Sequence, residues 1–352
     1  MQRREHPEPS VFAAPCAVGE SCGGLGIFAT SFIPKGSVIL VEEPFALTPA
    51  WRTRKTTCAA CLADLGGGQR ADSCACVACG TIFCSEACRR QSNAHSDIEC
   101  EALASFERAL SEDASSERFA DLVLQAIRIL SHRHAARNLR PFGDDSPTEV
   151  QYESYAARLQ PMKRSKRTGE AIKAAVIAAL QAVPLPARVP PGELFEVLNR
   201  HQCNAIGILG AGNSSIGLAS FLGGAHIFNH DCLPNIAFDC RPHERAKDGT
   251  SPRFCFRALV DVPQGAELCH CYAGSGEGPA QRQQYLLDHH GFRCTCARCT
   301  CDDIMEEAAM ADGLDAMRCR SDNCGTGLGY PVAPGCRKCI QCGEMWEHDD
   351  DE

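Results

Sequence analysis

Between Cys58 and Cys100 the chain places eight candidate metal ligands among few residues able to form a core. Cys58-x2-Cys61 is followed by Cys76-x2-Cys79, then by Cys84-x3-Cys88, His95 and Cys100. A zinc site needs ligands converging on one point at about 2.3 Å for sulfur, and the C-x2-C spacing turns two thiolates that way. Eight ligands imply two zinc ions. A segment this small folds by binding metal rather than by burying apolar surface, and such a site releases on the order of 10–16 kcal/mol. Cys74 is a competing thiol beside Cys76.

The whole chain holds 25 cysteines in 352 residues. An odd, clustered set suits thiolate–zinc chemistry better than a disulfide framework, which a reducing compartment does not sustain. The N-terminal stretch is charged and broken by Pro7, Pro9 and Pro15, with no apolar run of a secretory signal. No apolar run approaches the ~18 residues that span a membrane. Cytoplasmic or nuclear residence, or both, is therefore expected, with no membrane partner. The formal net charge of −9 argues against broad nucleic-acid binding, which needs a basic footprint, and suits a basic partner. A monomer is expected. At about 150 residues per domain, the length suggests two to three domains.

Residues 16–48 read as short strands and turns: Gly23, Gly24 and Gly26 precede the apolar run Ile27–Phe32, Pro34-Lys35-Gly36 is a turn signal, and Val38–Val41 is β-branched. Leu103, Phe106, Leu110, Phe119, Leu122, Val123, Ile127 and Leu130 recur near helical spacing. Further helix is predicted over Ala171–Val183, ending at Pro184, and over Leu194–Leu198. From Cys203 to Tyr272 short strands alternate with glycine turns, Arg253–Val260 and Glu267–Tyr272 among them. Residues 281–290 look helical, and Cys294, Cys296, Cys299 and Cys301 follow closely. Cys319-x4-Cys324 and Cys339-x2-Cys342 suit one more ion, a zinc-ribbon arrangement with Cys336 spare. The acidic run Glu347–Glu352 reads as a solvated terminus.

The first array resembles a MYND zinc finger, in which ligand pairs interleave. The resemblance implies that Cys58, Cys61, Cys84 and Cys88 hold one ion, and Cys76, Cys79, His95 and Cys100 the other. His95 stands one place earlier than the family histidine. Four other stretches resemble a SET domain. Gly24-Leu25-Gly26 is similar to its opening Gly-x-Gly turn, and Asn229-His230-Asp231-Cys232-Leu233-Pro234-Asn235 to its Asn-His-x-Cys-x-Pro-Asn signature. Glu267–Tyr272 resembles the strand ending in the catalytic tyrosine, and Phe292-Arg293-Cys294-x-Cys296-x2-Cys299 the post-SET zinc loop. Asn204 resembles the central asparagine of SET proteins that carry a MYND insert. A finger inserted into a split SET sequence is the mark of the SET and MYND domain protein-lysine methyltransferases, which the chain resembles over roughly residues 18–300.

That resemblance implies an α+β fold with a mostly β, pseudoknot-like SET core of small curved sheets. The expected division is 1–57 for the first part of SET, 58–100 for the finger and 101–200 for a helical insert. It continues with 201–273 for the SET core, 274–301 for the post-SET loop and 302–352 for the ribbon and tail. It implies S-adenosylmethionine as cofactor beside four zinc ions, bound by Gly24, Leu25, Gly26, Asn204, Asn229, His230, Tyr272 and Phe292. Tyr272 and His290 are the implied catalytic residues, and a lysine side chain of a protein, histone or not, the acceptor. A lysine with a pKa near 10.4 must lose its proton before it attacks, and a shift of ~3 units takes about 4 kcal/mol of desolvation and charge repulsion. Cys232 is the implied fourth ligand of the post-SET ion, with Cys301 as the local alternative. The chain departs from the family at Leu25, where a basic residue often meets the cofactor carboxylate, and at His290, where a second aromatic hydroxyl is usual. Those departures favour the rival expectation, a scaffold whose finger binds a proline-rich peptide.

Overall fold

The computed structural model describes residues 12–21, 24–66, 74–90, 95–112, 117, 119–138, 177, 180, 197, 204–210, 214–221, 223–238, 254–273, 278–322, 324 and 327–347. The helices expected over Ala171–Val183 and Leu194–Leu198 lie, apart from Ile177, Leu180 and Val197, outside the described residues, as does the acidic tail beyond Glu347.

The first half holds β1 (Cys16–Ser21), β2 (Gly24–Ala29), β3 (Val38–Glu42), β4 (Ala46–Pro49), β5 (Cys74–Ala75) and β6 (Ile82–Phe83). Helices α1 (Glu86–Arg90), α2 (Asp97–Glu112) and α3 (Ala120–Asn138) follow. The second half holds β7 (Ala205–Leu209), β8 (Ser215–Ser220), β9 (Asn229–His230), β10 (Ile236–Phe238), β11 (Phe254–Ala258) and β12 (Cys269–His270). After them come α4 (Pro279–His290), α5 (Ala297–Thr300) and α6 (Ile304–Ala316). The ribbon strands β13 (Gly329–Ala333), β14 (Cys336–Cys339) and β15 (Met345–Glu347) complete the described chain.

Small sheets pack around one apolar centre. The β1–β2 hairpin, the sheet β10–β11–β3 and the sheet β4–β8–β7 are all antiparallel. Ile27, Leu40, Phe254 and Phe256 from these strands meet there with Phe221 and Phe228, which lie between β8 and β9. Phe221 and Phe254 meet edge to face at 5.1 Å, the arrangement aromatic quadrupoles favour. β11 is buried at four of its five positions because strands flank it on both sides, so its pattern is nearly continuous rather than alternating.

A second centre lies where α3 crosses β4 and packs on α2, joining Val123, Ile127 and Leu130 to Leu103 and Phe106. Buried polar side chains stitch this joint. Arg128 donates to Glu99 Oε1 and to the Leu47 carbonyl, each at 2.6 Å. Gln125 accepts from Thr48 Oγ1 at 2.5 Å and donates to Ser220 Oγ at 2.8 Å. Each partner thereby offsets the desolvation that burial imposes on the other.

The catalytic-strand candidate is threaded rather than laid in a sheet. Glu267 bridges to Phe28 on one side, and Leu268 N donates to the Ile27 carbonyl at 2.7 Å. The next residues turn to the other side, where β12 pairs in parallel with β9. Asn235 locks the crossing: its Nδ2 donates to the Glu267 carbonyl and its Oδ1 accepts from Cys269 N, both at 2.8 Å. The strand expected over Glu267–Tyr272 is therefore a ladder only at Cys269 and His270, since its hydrogen bonds are split between two neighbours.

The C-terminal ribbon β13–β14–β15 rests on this core. Leu328, Tyr330 and Ile340 pack with Leu259, and the Arg257 guanidinium lies over the Tyr330 ring at 4.9 Å. No helix among the described residues is long and apolar enough to cross a membrane.

Candidate active site and metal centres

Four sets of side chains bring their ligand atoms within 4.8 Å of one another: Cys58, Cys61, Cys84 and Cys88; Cys76, Cys79, His95 and Cys100; Cys232, Cys294, Cys296 and Cys299; and Cys319, Cys324, Cys339 and Cys342. Sulfurs at tetrahedral corners 2.3 Å from zinc stand about 3.8 Å apart. The sulfur pairs Cys61–Cys84, Cys76–Cys100, Cys232–Cys299 and Cys324–Cys339 stand at 3.7, 3.5, 3.5 and 3.7 Å. These separations are far beyond the ~2.05 Å of a disulfide, and the donor sets fit zinc. His95 places Nε2 3.6 Å from Cys79 Sγ, and burial pushes its pKa down to about 4, which keeps the ring neutral as a ligand must be. Cys301 stands apart, with its thiol on the Asp303 carbonyl at 3.3 Å, so Cys232 completes the third set. Arg282, wholly buried, reaches 3.9 Å from Cys299 Sγ and pairs with Glu307 at 3.3 Å. A buried guanidinium there balances a site of four thiolates. Elemental analysis of the chain purified without chelators is expected to return four zinc ions per chain, and two or fewer would contradict these assignments.

Beside the third set the rings of Tyr272, His230, His290 and Phe292 come together. Gly291 ends α4 in the left-handed conformation at φ 76°, which turns the chain so that Phe292 follows directly. The Tyr272 ring lies 4.9 Å from His290, 5.2 Å from His230 and 6.5 Å from Phe292. Its hydroxyl donates to the Phe228 carbonyl at 2.6 Å, and burial raises its pKa well above the ordinary tyrosine value, so the proton stays on Oη at neutral pH. His230 ties this ring cluster to the metal set. Tyr272 N–H donates to His230 Nδ1 at 2.9 Å, so the neutral ring carries its proton on Nε2, which faces Cys232 Sγ at 3.2 Å. Burial holds the His230 pKa down to about 4 and lifts Asp231 to about 6.

The opening glycines also meet demands of the fold itself. Gly24 needs its freedom for φ 123°. At Gly26 a Cβ would overlap the Glu267 carboxylate and come within 3.0 Å of the Ser21 Cβ. Gly26→Ala is therefore expected to cost about 1–3 kcal/mol by overpacking, read as a lower denaturant midpoint at unchanged slope. Asn229 donates its Nδ2 to the Leu25 carbonyl at 2.9 Å and to Glu267 Oε1 at 2.7 Å. Contacts therefore run from Leu25 to Asn229, and from the adjacent His230 to Tyr272 and Phe292. Asn204 stands just before β7, in register beyond Ser220 at the end of β8 from which the chain runs on to Asn229. Glu267, Arg282 and Glu307 were not among the expected site residues. A carboxylate in an otherwise apolar strand, Glu267-Leu268-Cys269, was the one signal present.

A family model for the SET domain matches residues 24–273. The chain belongs to the SET domain family. The matched span encloses the two-site finger, and among its relatives are SET and MYND domain proteins. The histone-lysine N-methyltransferase ASHR2 of Arabidopsis thaliana is 28% identical over 291 residues, which cover 78% of this SET domain chain and 69% of that protein. The human histone-lysine N-methyltransferase SMYD3 is 23% identical over 299 residues, 82% of this chain and 62% of that one. The SET domain-containing protein SmydA-8, isoform A, of Drosophila melanogaster is 25% identical over 355 residues, 98% of this chain and 67% of its own. The chain thus spans less than two thirds of the human relative's length.

Proposed function

We propose that this SET domain protein is an S-adenosylmethionine-dependent protein-lysine N-methyltransferase. The observation that carries the reading is the buried, neutral Tyr272 hydroxyl at the end of a threaded strand, inside a ring of His230, His290 and Phe292 that a four-cysteine set closes. The residues fit the cofactor: Asn229 and the Gly24-Leu25-Gly26 backbone suit its zwitterionic end, and Phe292, half-buried, suits its flat adenine. When bound, the cofactor supplies a methyl group on a positive sulfur.

The chain's own part is to position and to exclude water. Tyr272 Oη keeps its proton on the Phe228 carbonyl and turns its lone pairs toward positive charge, an arrangement that needs no reorganisation at the moment of reaction. The apolar and neutral walls disfavour the ammonium form of an entering lysine. Burial keeps His270, 4.7 Å from the Tyr272 ring, uncharged with a pKa down at about 3, so it adds no competing cation. His290 offers an imidazole nitrogen to the acceptor amine where the family usually offers a hydroxyl. The zinc ions hold the finger, the post-SET hook and the ribbon in shape.

The acceptor is a lysine on a protein, in the cytoplasm, the nucleus or both. A proline-rich segment is the second partner, met at the finger, where Val77 stands fully exposed between Cys76 and Cys79. Labelled-methyl transfer from S-adenosylmethionine across a panel of histone and non-histone proteins tests the reading. Transfer to lysine by the wild-type chain, lowered ~100- to 1000-fold in a Tyr272→Phe variant, supports it; no transfer to any protein, with no cofactor binding, favours the scaffold.

A further inference from the structure

Glu267 sits where three separate segments meet. Its Oε2 accepts from Ser21 Oγ at 2.9 Å, at the end of β1, and its Oε1 accepts from Asn229 Nδ2 at 2.7 Å, at the start of β9. Its backbone carbonyl takes the Asn235 amide, and its side chain fills the space beside Gly26 that any Cβ would occupy. The position is built around this carboxylate, yet it belongs to no metal set, and no lysine or arginine among the described residues pairs with it.

Its effect is on Asn229. A carboxamide has one donating end and one accepting end, and its orientation follows from its partners. Both partners of Asn229 are pure acceptors, the Leu25 carbonyl at 2.9 Å and the Glu267 carboxylate. The amino group must therefore face them, and both of its hydrogens are used. What Asn229 has left is Oδ1, to which no described residue donates. Taken from its residue type alone, Asn229 can give or accept; held by Glu267, it can only accept.

We infer that Glu267 is a positioning residue that fixes Asn229 as an acceptor, and so selects a cofactor whose polar end carries an ammonium group. This rests on the proposed function and names which end of the cofactor is read there. Without Glu267 one of the two restraints on the amide is gone, and the Leu25 carbonyl alone is left to orient it. The Leu25 departure fits the same picture: with no basic side chain at that position to grip the cofactor carboxylate, recognition of the amino-acid end leans on the ammonium.

The test is a double-mutant cycle read by calorimetry. The wild-type chain, Glu267→Ala, Asn229→Ala and the double variant are titrated with S-adenosylhomocysteine, which has the ammonium, and with 5′-methylthioadenosine, which lacks the whole amino-acid end. Glu267→Ala is expected to weaken S-adenosylhomocysteine by ~10-fold or more, to add nothing in the Asn229→Ala background, and to leave 5′-methylthioadenosine within ~3-fold. Glu267→Gln keeps an oxygen for Asn229 and lets the Ser21 hydroxyl turn to accept, so it is expected to restore most of the affinity. Zinc content and thermal midpoint report on folding, and if Glu267→Ala does not fold, Ser21→Ala enters the same cycle with a smaller loss. Additive losses, or equal weakening of both ligands, overturn the inference while leaving the proposed function standing. A wild-type chain that binds neither ligand overturns both.

Discussion

Tyr272→Phe is expected to lower methyl transfer by ~100- to 1000-fold, while S-adenosylhomocysteine affinity stays within ~3-fold. The size follows from what one hydroxyl does there. Oη is buried and protonated, donates to the Phe228 carbonyl at 2.6 Å, and belongs to a ring packed against His230, His270 and His290. In such low-dielectric surroundings a fixed dipole acts on developing charge far more strongly than it would in water. Phenylalanine keeps the ring contacts with His230, His270 and His290, so the walls persist. It leaves the Phe228 carbonyl without that donor, which costs about 1–3 kcal/mol of stability. Single-turnover kinetics separate the two effects, because the loss belongs to the chemical step and not to binding. A variant with unchanged turnover takes Tyr272 out of the mechanism.

Cys232→Ser is the second large effect. Its sulfur stands 3.5 Å from Cys299 Sγ, 4.0 Å from Cys294 Sγ and 3.2 Å from His230 Nε2. Losing it opens the third metal set and uncovers the buried Arg282, whose thiolate partner then moves. The expected result is one zinc ion fewer, with the other three retained, and cofactor affinity lower by on the order of 100-fold because the hook carrying Phe292 no longer closes. Cys301→Ser is the matching control, since Cys301 lies outside the set, and its zinc content is expected to equal wild type. Native mass spectrometry reads the metal count, and a Cys232→Ser chain that keeps four ions would contradict the assignment.

Most of the metal ligands were legible because a C-x2-C knuckle aims two thiolates whatever surrounds it, whereas the pairing of knuckles and the remote ligand Cys232 had to be taken from the resemblance. The run Asn229–Asn235 is compact in the same way: one short stretch carries the asparagine proposed for the cofactor, a member of the third cysteine set and the residue that locks the crossing. Helices α2 and α3 followed from their apolar spacing. That spacing hid Arg128 and Glu99, which pair inside the joint where a helix pattern places charges in solvent. Glu267 was unreadable for a different reason. Its partners Ser21 and Asn229 are remote in the chain, and only the threading of Leu268 past Ile27 brings them together. Gly26 carried part of the clue, since a Cβ there would overlap the Glu267 carboxylate.

Calorimetric titration of the zinc-replete chain with S-adenosylhomocysteine tests the central claim most directly, that residues from Gly24 to Phe292 enclose one cofactor. The account predicts one ligand per chain, with affinity lost in Cys232→Ser and kept in Tyr272→Phe. No binding by the wild-type chain, or binding that Cys232→Ser leaves untouched, would contradict it.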